Sequence, residues 1–218
     1  NVSSTTVGLS DKEWVAADQT NGPYSNNLYV VWRQFGSTGM RSVRSTNGGV
    51  NWSTPQTYIG GQGAYVAVGA NGSIQGGSVY NASVNGSSIL VNRSTDGGVT
   101  FSPQVVAVTF ISGGIFCAGR QTVKNCIRMN NFPVMSADNS YTATRGNVYV
   151  AYCVNPLTAD IADINLVRST DYGATWSAPV RVNDDATTTD QWLPAISVDS
   201  KTGKVFVSWF DSREDPAN

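Results

Sequence analysis

Carboxylates, arginines, tyrosines and three cysteines are the reactive side chains of this 218-residue sequence, which contains no histidine. The missing imidazole excludes Ser-His-Asp and Cys-His catalysis and removes the commonest transition-metal ligand. Oxygen ligands remain: Asp160 with Asp163, or Asp184 and Asp185 with Asp190, could be offered to Ca2+. Neither grouping shows the fixed alternating offsets around a glycine that mark a dedicated calcium loop, so solvated loop acids are the expected reading and no metal or other cofactor is assigned. Trp192, beside Asp190 and Gln191, would serve as a sugar-stacking platform if exposed and as core if buried. Asp211, Arg213 and Asp215 lie in the run Trp209-Phe210-Asp211-Ser212-Arg213-Glu214-Asp215-Pro216, which suits either a salt-bridged turn or a ligand contact. Cys117 and Cys126 are spaced to staple a Gly-rich loop of about ten residues, a disulfide worth about 2–3 kcal/mol by loop entropy in an oxidising compartment. Cys153, ending an apolar run, reads as a small buried hydrophobe.

The elements that must position these groups announce themselves through a phrase repeated three times: Ser45-Thr46-Asn47-Gly48-Gly49-Val50-Asn51-Trp52, Ser94-Thr95-Asp96-Gly97-Gly98-Val99-Thr100-Phe101 and Ser169-Thr170-Asp171-Tyr172-Gly173-Ala174-Thr175-Trp176. An arginine precedes each copy (Arg44, Arg93, Arg168) and a serine follows each (Ser53, Ser102, Ser177). An Asp or Asn side chain can accept from backbone N–H groups just beyond it, and the glycine two places later supplies the positive φ that closes a hairpin turn. The phrase resembles the Asp box of the sialidase-like, BNR-repeat proteins of the bacterial secreted type. That resemblance implies a turn between the two outer strands of a propeller blade, on the face opposite the substrate site. Asn47 and Asn51 depart from the pattern in the first copy, and Phe101 replaces tryptophan in the second.

Upstream of the boxes the repeat continues. Leu28–Trp32, Val148–Tyr152 and Val205–Trp209 are versions of one strand, and Trp14–Asp18, Pro133–Asp138 and Pro194–Asp199 are versions of the strand before it. The second repeat is degenerate, with Tyr65–Gly69 and Ser73–Tyr80 as the counterparts. β-Branched and aromatic runs bounded by Gly, Asn and Asp read as strands, and no segment carries a helical stripe. The expected fold is all-β: a β-propeller of four-stranded antiparallel blades over 11–58, 64–108, 133–182 and 193–218, about three and a half in number, with an insertion over 109–132. Half a blade at the end and an Asn1 start suggest a processed or truncated piece of a six- or seven-bladed ring. The alternatives are self-assembly with a second copy or closure by segment 1–10.

Fourteen basic and fifteen acidic residues with no basic stripe argue against nucleic acid, and no apolar run is long enough to span a membrane. Six Asn-x-Ser/Thr sequons, at Asn1, Asn51, Asn71, Asn81, Asn85 and Asn92, are expected to be mostly accidental in so Asn- and Ser-rich a chain. The resemblance places the pocket on the loops between second and third strands and on the links between blades. These carry Arg33, Arg120, Arg128, Asp160, Asp184, Asp185, Asp190, Asp211, Arg213, Glu214 and Asp215. A sialidase binds its substrate carboxylate through arginines and uses a Tyr–Glu nucleophile pair with an Asp acid. Its Arg-Ile-Pro signature is absent, and the only glutamates, Glu13 and Glu214, give no such pair. The expected function is therefore a secreted or cell-surface module that binds glycan or protein, or packs into an extracellular assembly. An exo-glycosidase of sialidase type, with catalytic residues partly outside this sequence, is the alternative.

Overall fold

The computed structural model describes residues 8–36 and 39–215; Asn1, most of segment 1–10 and positions 216–218 of the fourth repeat lie outside them. Among the described residues there is no helix, and none therefore long and apolar enough to cross a membrane. The first unit is an antiparallel sheet of β1 (Ser10–Ala17), β2 (Leu28–Gln34), β3 (Met40–Ser45) and β4 (Gln56–Tyr58), hydrogen-bonded in sequence order. The second repeats it with β5 (Gln62–Asn71), β6 (Ile74–Asn85), β7 (Ser88–Ser94) and β8 (Val105–Thr109). A small sheet follows, built from β9 (Ile115–Cys117), β10 (Arg120–Val123) and β11 (Ile127–Arg128), and the Cys117–Cys126 disulfide staples it. The third unit comprises β12 (Val134–Ala137), β13 (Val148–Val154), β14 (Asp163–Ser169) and β15 (Val180–Arg181). Finally β16 (Gln191–Val198) and β17 (Val205–Asp211) form a two-stranded sheet.

The first strands of the units sit side by side: β5 packs on β1, β12 on β5 and β16 on β12. Each apolar core lies between successive sheets. Tyr29, Val31 and Met40 meet Ala64, Val66 and Val79 between the first and second. Tyr80, Ile89 and Val91 meet Met135, Val150 and Tyr152 between the second and third. Cys153 and Ile164 meet Val123, Met129 and Trp192 where the insertion, third unit and fourth unit join. Face-to-face stacking of twisted four-stranded sheets about shared first strands is a propeller-like arrangement. The second repeat, which reads as degenerate, has the longest strands of all, because its bulged β5 and β6 continue past the apolar run through Gly and Asn.

The three repeated turns join third and fourth strands. In each, the Ser hydroxyl receives the backbone N–H of the second glycine position, at 2.9 Å for Gly49, 2.8 Å for Gly98 and 2.7 Å for Gly173. Oδ1 of Asn47, Asp96 and Asp171 receives the N–H four residues on. The trailing serine has a purpose the phrase alone does not reveal. Oγ of Ser53, Ser102 and Ser177 accepts from the N–H of Arg44, Arg93 and Arg168, and the serine N–H returns to the same arginine's carbonyl. The turn is thus closed at its mouth as well as its tip.

Two of the box glycines do more than turn. At φ +80° and +84°, Gly98 and Gly173 favour the absence of a Cβ, and that empty space is where the neighbouring unit docks. A Cβ on Gly98 would lie 2.9 Å from the ring of Tyr29 in the first unit, and one on Gly173 would lie 3.3 Å from the ring of Tyr80 in the second. Tyr29 and Tyr80 hold the same place in β2 and β6, so each box receives the previous unit's second-strand tyrosine.

Burial alone would raise the Asp96 carboxyl, but hydrogen bonds from Thr100, Ser94 and Val99 outweigh it and hold it at about 2. The Thr175 hydroxyl and N–H, opposed by some desolvation, bring Asp171 to about 2 as well. Depressed carboxyls contribute stability above their unfolded value and lose it as pH falls toward 2. Asp171→Ala is expected to cost about 1–3 kcal/mol, since it orphans N–H and hydroxyl donors of the turn. A urea midpoint unchanged from the parent would contradict that role.

Candidate functional site

Alternating strand directions put the loops between second and third strands and the links between units at one end of the sheets, and the Asp boxes at the other. The box-free end holds a cavity of about 580 Å3 between the first unit, the second unit and the disulfide-stapled insertion. Arg33, Arg120 and Arg128, more than 80 residues apart at the extremes, all line it. Arg33 follows Trp32 at the end of β2, where its Nη1 donates to the Gly60 carbonyl at 3.0 Å and its guanidinium lies 5.3 Å from the Phe35 ring centroid. Its Nε is buried without a hydrogen-bond partner. Arg120 opens β10 and Arg128 closes β11, so the hairpin carrying both is the one the disulfide ties. Neither side chain has a hydrogen bond or ion pair to another described residue, and among the described residues no carboxylate lines the cavity. The walls are otherwise neutral: Gln62, Gln121, Asn130 and Asn131 offer amides, with Phe35 and Phe132 as apolar surface. Three cations without compensating acids in a concave wall attract an anion, and arginine's planar fork matches a carboxylate or sulfate-type group bidentately.

The remaining sequence candidates gather elsewhere, and their partners are internal. Trp192 is 8% exposed, packed in the core with its ring 6.0 Å from Phe210, so it offers no stacking face to a ligand. The Asp211 carboxylate ties β16 to β17: Gln191 Nε2 donates to it at 3.3 Å, Trp209 Nε1 at 3.1 Å and Arg213 Nε at 2.8 Å. The first unit repeats the device with Gln34, which receives Ser10 Oγ and Trp32 Nε1 at the matching strand positions. Burial would raise Asp211, but those donors, led by Arg213, bring it to about 2. Arg213 also bridges to the exposed Asp184 at 2.9 Å, and the Asp215 carbonyl accepts from Lys124 Nζ. Asp211 and Arg213 thus form a salt-bridged turn, to which Asp215 contributes its backbone N–H and carbonyl. The loop between the second and third strands of the second unit is short: β6 runs through Asn85, and only Gly86 and Ser87 turn there. Buried Asn81 and Asn92 are inaccessible to glycosylation.

The structure also brings Asp190 to the Asp160 and Asp163 pair, from which spacing keeps it apart. Asp160, Asp163 and Asp190 converge beside the buried Cys153 thiol, where β13, β14 and the entry to β16 meet. Asp160 is 4% exposed; its Oδ1 accepts from the Ala162 N–H at 3.0 Å and its Oδ2 has no partner. Desolvation, then repulsion from Asp163 and Asp190, pushes its carboxyl up to about 7. Asp190 is raised as well, chiefly by burial, and receives the Lys124 N–H at 3.3 Å. Asp163 is anchored separately by Arg181 at 3.0 Å and Asn183 at 2.7 Å. Among the described residues no group of three or more acidic or cysteine side chains is arranged to hold a metal ion.

Comparison of folds places this architecture. No protein-family model matches the sequence, and no curated protein matches it. Solved structures do. The NanB sialidase of Streptococcus pneumoniae, in complex with a chlorobenzyl-ammonio-ethanesulfonate, aligns with a TM-score of 0.53 at 14% identity over 88% of this chain. NanB with Optactamide aligns at 0.52 with the same identity and coverage. A protein of unknown function from Dyadobacter fermentans covers 94% of this chain and 62% of its own, at 16% identity and a TM-score of 0.48. This chain has a sialidase-like fold, and it spans 27% of the NanB chain.

Proposed function

We propose that this protein is a secreted or cell-surface β-propeller module that binds an acidic glycan, or a protein bearing comparable anionic groups, in the cavity of Arg33, Arg120 and Arg128. The carrying observation is that three arginines line one concave wall that no carboxylate neutralises. The disulfide agrees with an oxidising compartment, and the sheet stacking agrees with blades of a larger ring. The lining offers arginine forks, amides and two phenyl rings, which suit recognition of an anionic group.

Titration with sialyllactose and with lactose tests this reading. The acidic sugar is expected to bind at least tenfold tighter, and Arg120→Ala or Arg128→Ala to remove most of that preference, since charged hydrogen bonds are worth about 1.5–3 kcal/mol. Both side chains are exposed and end strands, so the variants should keep the parent's unfolding midpoint. Equal affinity for the two sugars would overturn the assignment. Release of sialic acid from a fluorogenic sialoside, lost in the same variants, would replace binding with hydrolysis.

A further inference from the structure

A second cavity, of about 630 Å3, lies at the opposite end, where the first strands of all four units finish. Its floor is made of Ala17, Val68, Ala137 and Val198, each at or near the end of its strand: β1, β5, β12 and β16. Small and β-branched residues there leave a shallow apolar base. The rim is polar and comes from the turns that follow. Gln19 has no hydrogen-bond partner among the described residues, and Gln75 uses only its Oε1, to receive the Asn21 N–H at 3.2 Å. Lys201 stands at the edge without an ion pair among the described residues. Among the described residues no carboxylate lines this cavity either.

Tyr141 makes the rim more than a polar dent. It is 77% exposed, a large apolar surface to leave in water, yet it is held in place. Its ring lies 5.0 Å from the Arg145 guanidinium, and that guanidinium is held by backbone carbonyls. Arg145 Nε donates to Gly72 at 3.1 Å, Nη2 to Ser73 at 3.2 Å and Nη1 to Ser140 at 3.0 Å. The arginine clips the 138–147 loop of the third unit to the turn of the second and fixes the aromatic above the cavity. Asn139 reinforces the clip by receiving the Gly76 N–H and donating to the Val68 carbonyl.

We infer that this cavity is a second ligand site, for a saccharide whose ring stacks on Tyr141 while its hydroxyls bond to the Gln19 amide and the Gln75 Nε2. The chemistry is that of a fixed aromatic face beside uncommitted amide donors and acceptors, which suits a molecule with an apolar C–H face and hydroxyls around its edge. An immobilised ring and amide-lined turns lose little conformational freedom on binding. The site is independent of the arginine cavity, since the two share no residue.

Saturation-transfer NMR on the whole chain, with lactose, cellobiose and di-N-acetylchitobiose as probes, tests the inference. At least one disaccharide is expected to bind saturably. Tyr141→Ala should weaken it about tenfold, Tyr141→Phe should retain it, and Gln19→Ala should weaken it severalfold. Arg120→Ala should leave it unchanged, which separates this site from the first. Lys201→Ala should leave these neutral probes unaffected. Thermal unfolding of each variant confirms that the fold persists. Failure of all three disaccharides to saturate, or the same affinity in Tyr141→Ala and Gln19→Ala, would overturn the site. Loss through Arg120→Ala would assign the binding to the other cavity.

Discussion

Asp160→Asn is expected to stabilise the protein at pH 8 by about 2–4 kcal/mol and to leave its stability at pH 4 nearly unchanged. The carboxyl sits at about 7 in the folded protein against 3.8 in an open chain. Below 3.8 both states hold the proton, and between the two values only the folded state does. Folding then takes up a proton, so stability falls as pH rises and the loss is complete above about 7. Burial of the carboxyl sets this first, then Asp163 on β14 and Asp190 at the entry to β16, with Lys124 reaching Asp190 from the insertion. Asparagine keeps an Oδ1 to receive the Ala162 N–H. It also brings an N–H that can donate to a neighbouring carboxylate, which aspartate does only when protonated. Urea unfolding from pH 4 to 9 checks it: parent and variant curves should diverge with rising pH and run parallel above pH 8. Parallel curves throughout, or a less stable variant at pH 8, would reject the raised carboxyl of Asp160. Because Asp96, Asp171 and Asp211 pull in the opposite sense at acid pH, the parent's stability should peak near pH 4–5.

Tyr80→Ala should cost about 3–5 kcal/mol, the range for emptying a large buried aromatic site. The ring is wholly buried, with Gly69 of β5 on one side and the box glycine Gly173 of the third unit beside it. Neither glycine has a side chain that could fall into the space, so the cavity would persist and the contact between second and third units would loosen. Val50→Ala is the control: at 78% exposure on a turn, it should change stability by less than about 0.5 kcal/mol. Equal unfolding midpoints for the two variants would show that the units are held together elsewhere.

Local chemistry was readable directly. Ser94, Asp96, Gly98 and Thr100 and their counterparts specify a turn through contacts within five residues, so a repeated phrase suffices to find it. The strands before each box were equally legible from apolar runs with turn residues at both ends. The Cys117–Cys126 staple is local too, closing nine residues. Binding residues are a different matter. Nothing in the types or spacing of Arg33, Arg120 and Arg128 says that they line one wall, or that Asp211 and Arg213 are consumed by a strand anchor while two of those arginines are not. Trp192 could be platform or core until packing buried it.

What sequence alone determined here is everything set by neighbours along the chain: the all-β class, the repeating unit, the three turns and the disulfide-bearing insertion. What only the tertiary structure decided is how units meet. The glycines of the boxes are turn formers by sequence and docking sites for Tyr29 and Tyr80 by packing. Asp160 is a loop acid by sequence and a proton-holding group by its burial beside nearby Asp163 and the remote Asp190. Tyr141 is an ordinary turn residue until Arg145 pins it over the mouth between units. Desolvation and close approach depend on segments tens of residues apart, and a pattern of nearest neighbours carries no record of them.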